Sequence, residues 1–219
     1  GPDTVLVTDR LLEKWNKLND NSIVDIDDDM MHAALEIVGR SLFGTDLAGD
    51  VEKTAQATLD ALDIIVARAR TPISFPKWIP TPNNRKLAKA LKQLDSAVAR
   101  ILEERKKITA KPGIERDVDM LDLLLAAHDD EGALNSKELR DQIVTFIVAG
   151  HETVASSLTW TWWLLGTHLD VQNKVQKEVD EVLKGRAPSV KDIDNLPYTK
   201  AVVDEALRVY PPGWVVSRR

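Results

Sequence analysis

The chain has 219 residues, 43% hydrophobic and 29% charged, with a net charge of −6 and no cysteine. That length suffices for one sizeable domain or two small ones. The acidic balance argues against a general nucleic-acid binder or a basic membrane-surface protein, and the lack of cysteine excludes disulfides and thiolate chemistry from these residues. The N-terminus has no basic region followed by an apolar core, so it does not read as a secretory signal. Gly1-Pro2 reads as the remnant of a cleaved tag, and the domain is taken to run from residue 3.

Nearly all of the chain has helical periodicity. Val5 to Leu18 places Leu11, Leu12, Trp15 and Leu18 on one face. After a turn at Asn19 to Ser22, Asp27, Asp28 and Asp29 form an acidic first turn, which suits a helix N-terminus. They lack the glycine and distal glutamate of a calcium loop, so they read as capping rather than as a metal site. That helix is predicted to run from about Met30 to Phe43 and to stop at Gly44. Asp50 to Arg70 is the next helix. Thr71 to Pro82 carries four prolines and must be a loop; its Phe75, Trp78 and Ile79 suggest that it docks on the core. Asn83 to about Ile108 is a long amphipathic helix with Leu87, Leu91, Leu94 and Val98 on a stripe, its charges reading as a solvated face. Lys111-Pro112-Gly113 ends it. Val118 to His128 is a short helix.

The longest element is expected over residues 135–169. Asn135 can cap its start, with Glu138 three residues on to reach back to a free backbone N–H. No charged residue occurs from Val154 to Leu169 and no proline interrupts the run. A helix of this length spans roughly 50 Å, so it should cross a whole domain with neighbours on most sides. Ala149-Gly150-His151-Glu152-Thr153 breaks the local rules inside it. An interior glycine costs on the order of 1 kcal/mol relative to alanine, and a buried carboxylate must be paired, hydrated or neutral. Two small residues would admit something flat or bulky close to the backbone, with an acid and a hydroxyl beside it to bind water or relay protons. Two plainer readings stay open on the residues alone. One is a kinked core helix without chemistry. The other is a membrane span, against which stand the interruption at His151 and Glu152 and the later Ser156, Ser157, Thr159 and Thr161.

Downstream, Asp170 to Leu183 turns Val171, Val175, Val179 and Val182 inward. Gly185 to Leu196 is a connector with a short turn. Thr199 to Val209 is a helix that Pro211 and Pro212 stop, and Gly213 to Arg219 begins to look like a strand. Glu205 and Arg208, three apart, share a helix face and can pair.

AGHET at 149–153 resembles the oxygen-activating motif of the cytochrome P450 family. LPYTKAVVDEALRVYPP at 196–212 is similar to the helix that carries that family's Glu–Arg pair. Two such motifs, in this order and joined by helices, are specific. The resemblance implies a mainly α fold: a truncated P450-like helical core with one long central helix and little or no sheet. It implies a single helical domain over 3–219, with D-to-H-like helices over 3–134, the I-like helix over 135–169 and J- and K-like helices over 170–219. It implies that Ala149 and Gly150 lie against haem, that Glu152 and Thr153 handle the protons that split dioxygen, and that Arg218 binds a haem propionate. By the same resemblance Glu205 and Arg208 are a structural pair, normally locked by a further arginine downstream, and His151 points away from the iron. In this family the haem ligand is a cysteine thiolate. None of the residues here can supply it, and nothing in the spacing of His32, His128, His151 and His168 suggests a substitute, so no metal ligand is assigned.

The expectation is therefore an internal fragment of a soluble, bacterial-type, cytoplasmic monooxygenase. The complete protein would hold haem, take a small apolar substrate and receive electrons from a redox partner. The chain alone is expected to bind no haem and to be inactive, with no nucleic-acid partner and no membrane span. The alternative is a haem-free helical scaffold that self-associates through exposed core surface, as a homo-oligomer or helix-swapped dimer.

Overall fold

Helical periodicity of this kind leaves little material for a sheet. The computed structural model, which describes residues 1–44, 51–71, 76, 78–109, 118–129 and 134–214, contains eight α-helices, one 3₁₀ helix and no strand among those residues. The helices are α1 (Pro2–Trp15), α2 (Ile26–Phe43), α3 (Val51–Arg70), α4 (Pro82–Thr109), α5 (Met120–Asp129), α6 (Ser136–Thr167), α7 (Leu169–Leu183) and α8 (Pro197–Val209), with the 3₁₀ turn at Val190–Asn195 between α7 and α8. The strand expected over 213–219 falls almost wholly outside the described residues, as do Phe75 and the Lys111-Pro112-Gly113 stop. The described residues divide into two compact units, one formed by Gly1–Ile37 with Gly150–Arg219 and the other by Val38–Ala149.

In the second unit, α3 and α4 pack antiparallel along their apolar faces. Ala57, Ala61, Ile64, Leu87, Ala90 and Leu94 form a buried cluster, with Leu91 and Val144 against it. The Leu87–Leu94–Val98 stripe read from the sequence is this buried face. Asn84 holds the connection between the two helices. Its side-chain amide donates to the carbonyls of Pro76 (2.8 Å) and Ile79 (2.6 Å) and its oxygen accepts from Arg68. Four prolines prevent that segment from satisfying itself by helix, and one buried side chain supplies the missing partners. The exposed face of α4 is not uniformly solvated. Arg105 is 3% exposed and donates to Asp119, Asp122 and the carbonyl of Phe43, tying α4 to the start of α5 and the end of α2.

In the first unit α1 meets α2 through side chains that the amphipathic pattern misplaced. Val7 is buried and Leu11 and Trp15 are half-buried, whereas Leu12 and Leu18 are 46% and 41% exposed. The inward face thus follows i, i+4, i+8 rather than the leucine pair. Pro2 starts the first turn of α1, where its missing N–H costs nothing. The three aspartates of α2 also divide their work. Asp25, one residue before the helix, accepts from the amides of Asp27 and Asp28. Asp27 instead accepts from the Thr159 hydroxyl of α6 at 3.0 Å. Asp29 is buried and accepts from Lys14 and from the Trp15 indole at 2.7 Å.

The entry to α8 is capped from outside. Leu196 at the cap position has no suitable side chain, and Glu178 of α7 takes its place. Its two oxygens accept from the amides of Tyr198 (2.8 Å) and Thr199 (2.7 Å) and from the Thr199 hydroxyl (2.7 Å). At the other end of α8, Tyr210 stacks on Trp160 of α6 with ring centroids 4.1 Å apart and planes 7° apart. Trp163 meets Tyr210 edge-on at 5.9 Å.

Candidate functional site

The start of α6 forms as its residues dictate. The amide of Asn135 donates to Glu138 Oε2 at 2.8 Å, and Asn135 Oδ1 accepts from the amides of Lys137 and Glu138 at 3.0 Å. The reciprocal cap fixes where the helix begins, and with it the phase of everything downstream.

That phase sorts the faces of α6. Ile143, Ile147, His151 and Ala155, four apart, are each 0% exposed. Such a row runs along one side of a helix. Two residues away is about 200° around the axis, so Ala149 and Thr153 lie opposite His151, and both are exposed. Gly150 and Glu152 flank the buried row and are half-buried. The small residue and the hydroxyl therefore share the open face, with the acid at its edge. His151, the variable position of the motif, turns inward. Beyond it, Ser157 donates to the carbonyl of Thr153 and Thr161 to that of Ser157, each at 2.7 Å; such back-bonding satisfies hydroxyls that an apolar span would otherwise strand. The expectation that this helix has neighbours on most sides does not hold for its second half. Val154, Trp160, Trp162 and Trp163 are 45%, 37%, 44% and 49% exposed.

Glu205 and Arg208 pair as their spacing suggests, through two parallel bonds of 2.7 Å. The bonds from Arg208 hold the Glu205 carboxyl below its usual range. The pair is exposed, with side chains 58% and 70% accessible, so here it is a surface ion pair and contributes little to stability. Arg218, the propionate candidate, lies outside the described residues. Next to the pair, Leu164, Leu165, His168, Val171, Tyr198 and Ala206 help line a concavity of about 440 Å³, away from the 149–153 motif.

As a donor set, these residues fit one side of a haem and not its ligation. Ala149 and the neighbouring Gly150 present little bulk to a flat ring, and Thr153 adds a hydroxyl on the same face. No cysteine is present to ligate iron, and no group of three or more His, Asp or Glu suited to a metal occurs among the described residues. Nor is any helix among them long and apolar enough to cross a membrane.

The helical architecture, the small-acid-hydroxyl motif on the long helix and the Glu–Arg pair on α8 define a class. The Cytochrome P450 family model matches residues 4–219, and the chain belongs to that family. It is 36% identical to cyclooctat-9-en-7-ol 5-monooxygenase of Streptomyces melanosporofaciens over 89% of this chain and 42% of that protein. It is 32% identical to pentalenene oxygenase of Streptomyces avermitilis over 96% of this chain and 45% of that protein. It is 30% identical to the bifunctional cytochrome P450/NADPH–P450 reductase 2 of Bacillus subtilis over 94% of this chain and 20% of that protein. The chain thus spans less than half the length of the relatives it matches.

Three structural joins were not visible in the residues read one element at a time: the buried Arg105 cluster, the Asp29 acceptor and the Glu178 cap. Each joins side chains from different helices, and no local spacing marks such a join. The complete burial of His151 became readable only once the phase of α6 was fixed.

Proposed function

We propose that these residues form the central helical part of a haem-thiolate monooxygenase that inserts one oxygen atom from dioxygen into a small apolar substrate. The observation that carries this is the family match through both motifs, with Ala149 and Thr153 on the open face of α6. Haem, when bound by the complete protein, would supply dioxygen binding and activation. Ala149 and Gly150 would let the ring lie close to the helix. Thr153 would hold a water or the bound oxygen through its hydroxyl, and Glu152, half-buried at the edge of the same face, would pass protons to it. Glu205 and Arg208 serve as a structural pair and Arg218 as a propionate partner in this reading. Residues 3–219 act as one domain of the D-to-K region. The electron donor is a redox partner; the Bacillus subtilis relative, named as a bifunctional cytochrome P450/NADPH–P450 reductase, supports that part. The substrate is apolar, in keeping with relatives named as a cyclooctat-9-en-7-ol 5-monooxygenase and a pentalenene oxygenase. A cytoplasmic location belongs to the same proposal, and recovery of the protein with membranes or plastids on fractionation would overturn it.

The test is a carbon monoxide difference spectrum of the reduced protein. The complete polypeptide carrying these residues is expected to give the band of thiolate-ligated haem, and the 219-residue chain, lacking cysteine, to give none. A complete polypeptide without that band, or a thiolate band from the 219 residues alone, would end the proposal. A haem-free self-associating scaffold is not favoured, because the family match includes both the oxygen-handling and the Glu–Arg motifs.

A further inference from the structure

We infer that Trp160 and Tyr210, with Trp163 beside them, form a relay that carries oxidising equivalents away from the open face of α6 to the protein surface; the inference rests on the function proposed above. Tyr210 stacks on Trp160 with ring centroids 4.1 Å apart and planes 7° apart. Trp163 meets Trp160 edge-on at 5.7 Å and Tyr210 edge-on at 5.9 Å. Near-parallel rings at that spacing overlap their π systems, which favours electron exchange. The backbone holds Tyr210 in place: it lies just past α8, and its amide donates to the Ala206 carbonyl at 2.8 Å. Leucine or phenylalanine would serve for packing alone. The side chains that converge here are instead the two ring types that give up one electron most readily, and Trp160 and Trp163 are 37% and 49% exposed.

Trp160 stands seven residues after Thr153, about 20° around the helix and about 10.5 Å along it. It therefore continues the open face on which Thr153 lies. Trp162, nine residues after Thr153, is about 180° away and pairs with Trp15 on that other side. When dioxygen is reduced beside Thr153 and no substrate is oxygenated, a one-electron oxidant remains. Trp160 gives it one electron and becomes a radical cation. Tyr210 then passes one electron to Trp160 and loses its phenolic proton to water, which restores the indole and leaves a neutral phenoxyl radical. A phenol that sheds its proton is the easier of the two rings to oxidise at neutral pH, so the hole collects on Tyr210. A soluble thiol returns one hydrogen atom to it. The net change is one electron to the oxidant, one hydrogen atom from the thiol and one proton to water.

The experiment has two settings, and its variants keep a ring at each altered position so that packing is preserved. In the 219-residue chain, pulse radiolysis generates azide radicals, which oxidise tryptophan in preference to tyrosine, and transient absorption follows the indolyl and phenoxyl bands. The unaltered chain is expected to show the phenoxyl band rising as the indolyl band decays, at a rate independent of protein concentration. Tyr210→Phe should lose that rise and Tyr198→Phe should keep it. Trp160→Phe combined with Trp163→Phe should slow it severalfold, and Trp162→Phe should leave it unchanged. A phenoxyl rise that survives Tyr210→Phe, or that Trp162→Phe slows as much as the paired substitution does, would overturn the inference. In the complete haem-loaded protein, hydrogen peroxide is added without substrate. The unaltered protein is expected to give a tyrosyl signal by electron paramagnetic resonance. Tyr210→Phe should lose that signal and bleach its haem severalfold faster, with KM and kcat unchanged. A merely packing role would leave the signal and the bleaching rate as they are, and that result too would overturn the inference. If the unaltered complete protein shows no thiolate band, the proposed function fails, and the radiolysis comparison still decides whether holes collect on Tyr210.

Discussion

Two arginines mark the difference between the units. Arg105, in the Val38–Ala149 unit, is 3% exposed and bound to two aspartates and a backbone carbonyl from other elements. Arg208, in the unit containing Gly150–Arg219, is 70% exposed and bound to one glutamate on its own helix. Arg208 belongs to the recognisable motif, and Arg105 belongs to none. The cluster that organises helices in this chain is the anonymous one. A guanidinium buried among partners from two other elements specifies how they meet its own helix, whereas a pair within one turn of one helix specifies only that turn.

Substitutions can sharpen or break that contrast. Arg105→Ala should have the largest effect: it removes a buried guanidinium from Asp119, Asp122 and the Phe43 carbonyl, and should destabilise the Val38–Ala149 unit by about 3–5 kcal/mol, measured by urea denaturation. A loss below about 1 kcal/mol would make Arg105 no more than a surface residue.

Glu178→Gln comes next, at about 1 kcal/mol, the usual worth of a helix cap. Burial pushes the Glu178 carboxyl up, but the bonds from the Thr199 amide, the Tyr198 amide and the Thr199 hydroxyl outweigh it, and the net shift is downward from 4.5. With the folded value below the unfolded one, the stabilisation is complete above about pH 4.5, shrinks as the pH falls below it, and is gone once the pH passes the lowered folded value. Denaturation at a series of acidic pH values should show that slope in the unaltered chain and a reduced slope in Glu178→Gln; equal slopes would show that the cap carries no such energy.

Glu205→Gln should change least. In this chain its melting temperature should match that of the unaltered protein, and added salt should make no difference between the two. A clear loss of stability would mean that the exposed pair organises more than its own turn.

The legible parts of the fold were those written within one turn. Asn135 and Glu138 announced the start of α6, and the structure makes both of their bonds. Gly44, at φ +56°, ends α2 where the sequence placed the stop, in the left-handed region that favours glycine. The clusters that join elements were not legible. Asp27, Asp28 and Asp29 look alike in sequence, yet Asp29 is the buried acceptor of Lys14 and Trp15, because its position in the turn aims it at α1. Arg105 sits in a run, Glu103-Glu104-Arg105-Lys106-Lys107, whose charges all read as solvated, and its partners lie 14, 17 and 62 residues away. At the candidate site, the motif was legible as a pattern of residue types, and which of them face outward follows from the phase of α6 in the structure. The burial of His151 was not legible, since a lone histidine in an apolar span fits either side.

The placement of indole rings has an optical consequence. Of the six tryptophans, Trp15, Trp160, Trp162, Trp163 and Trp214 fall within 1–37 and 150–219, and Trp78 alone falls within 38–149, where it is already 82% exposed. Intrinsic emission therefore watches one half of the molecule while far-ultraviolet dichroism watches both. A gap between the two signals on heating would show the unlit half losing its helices on its own schedule.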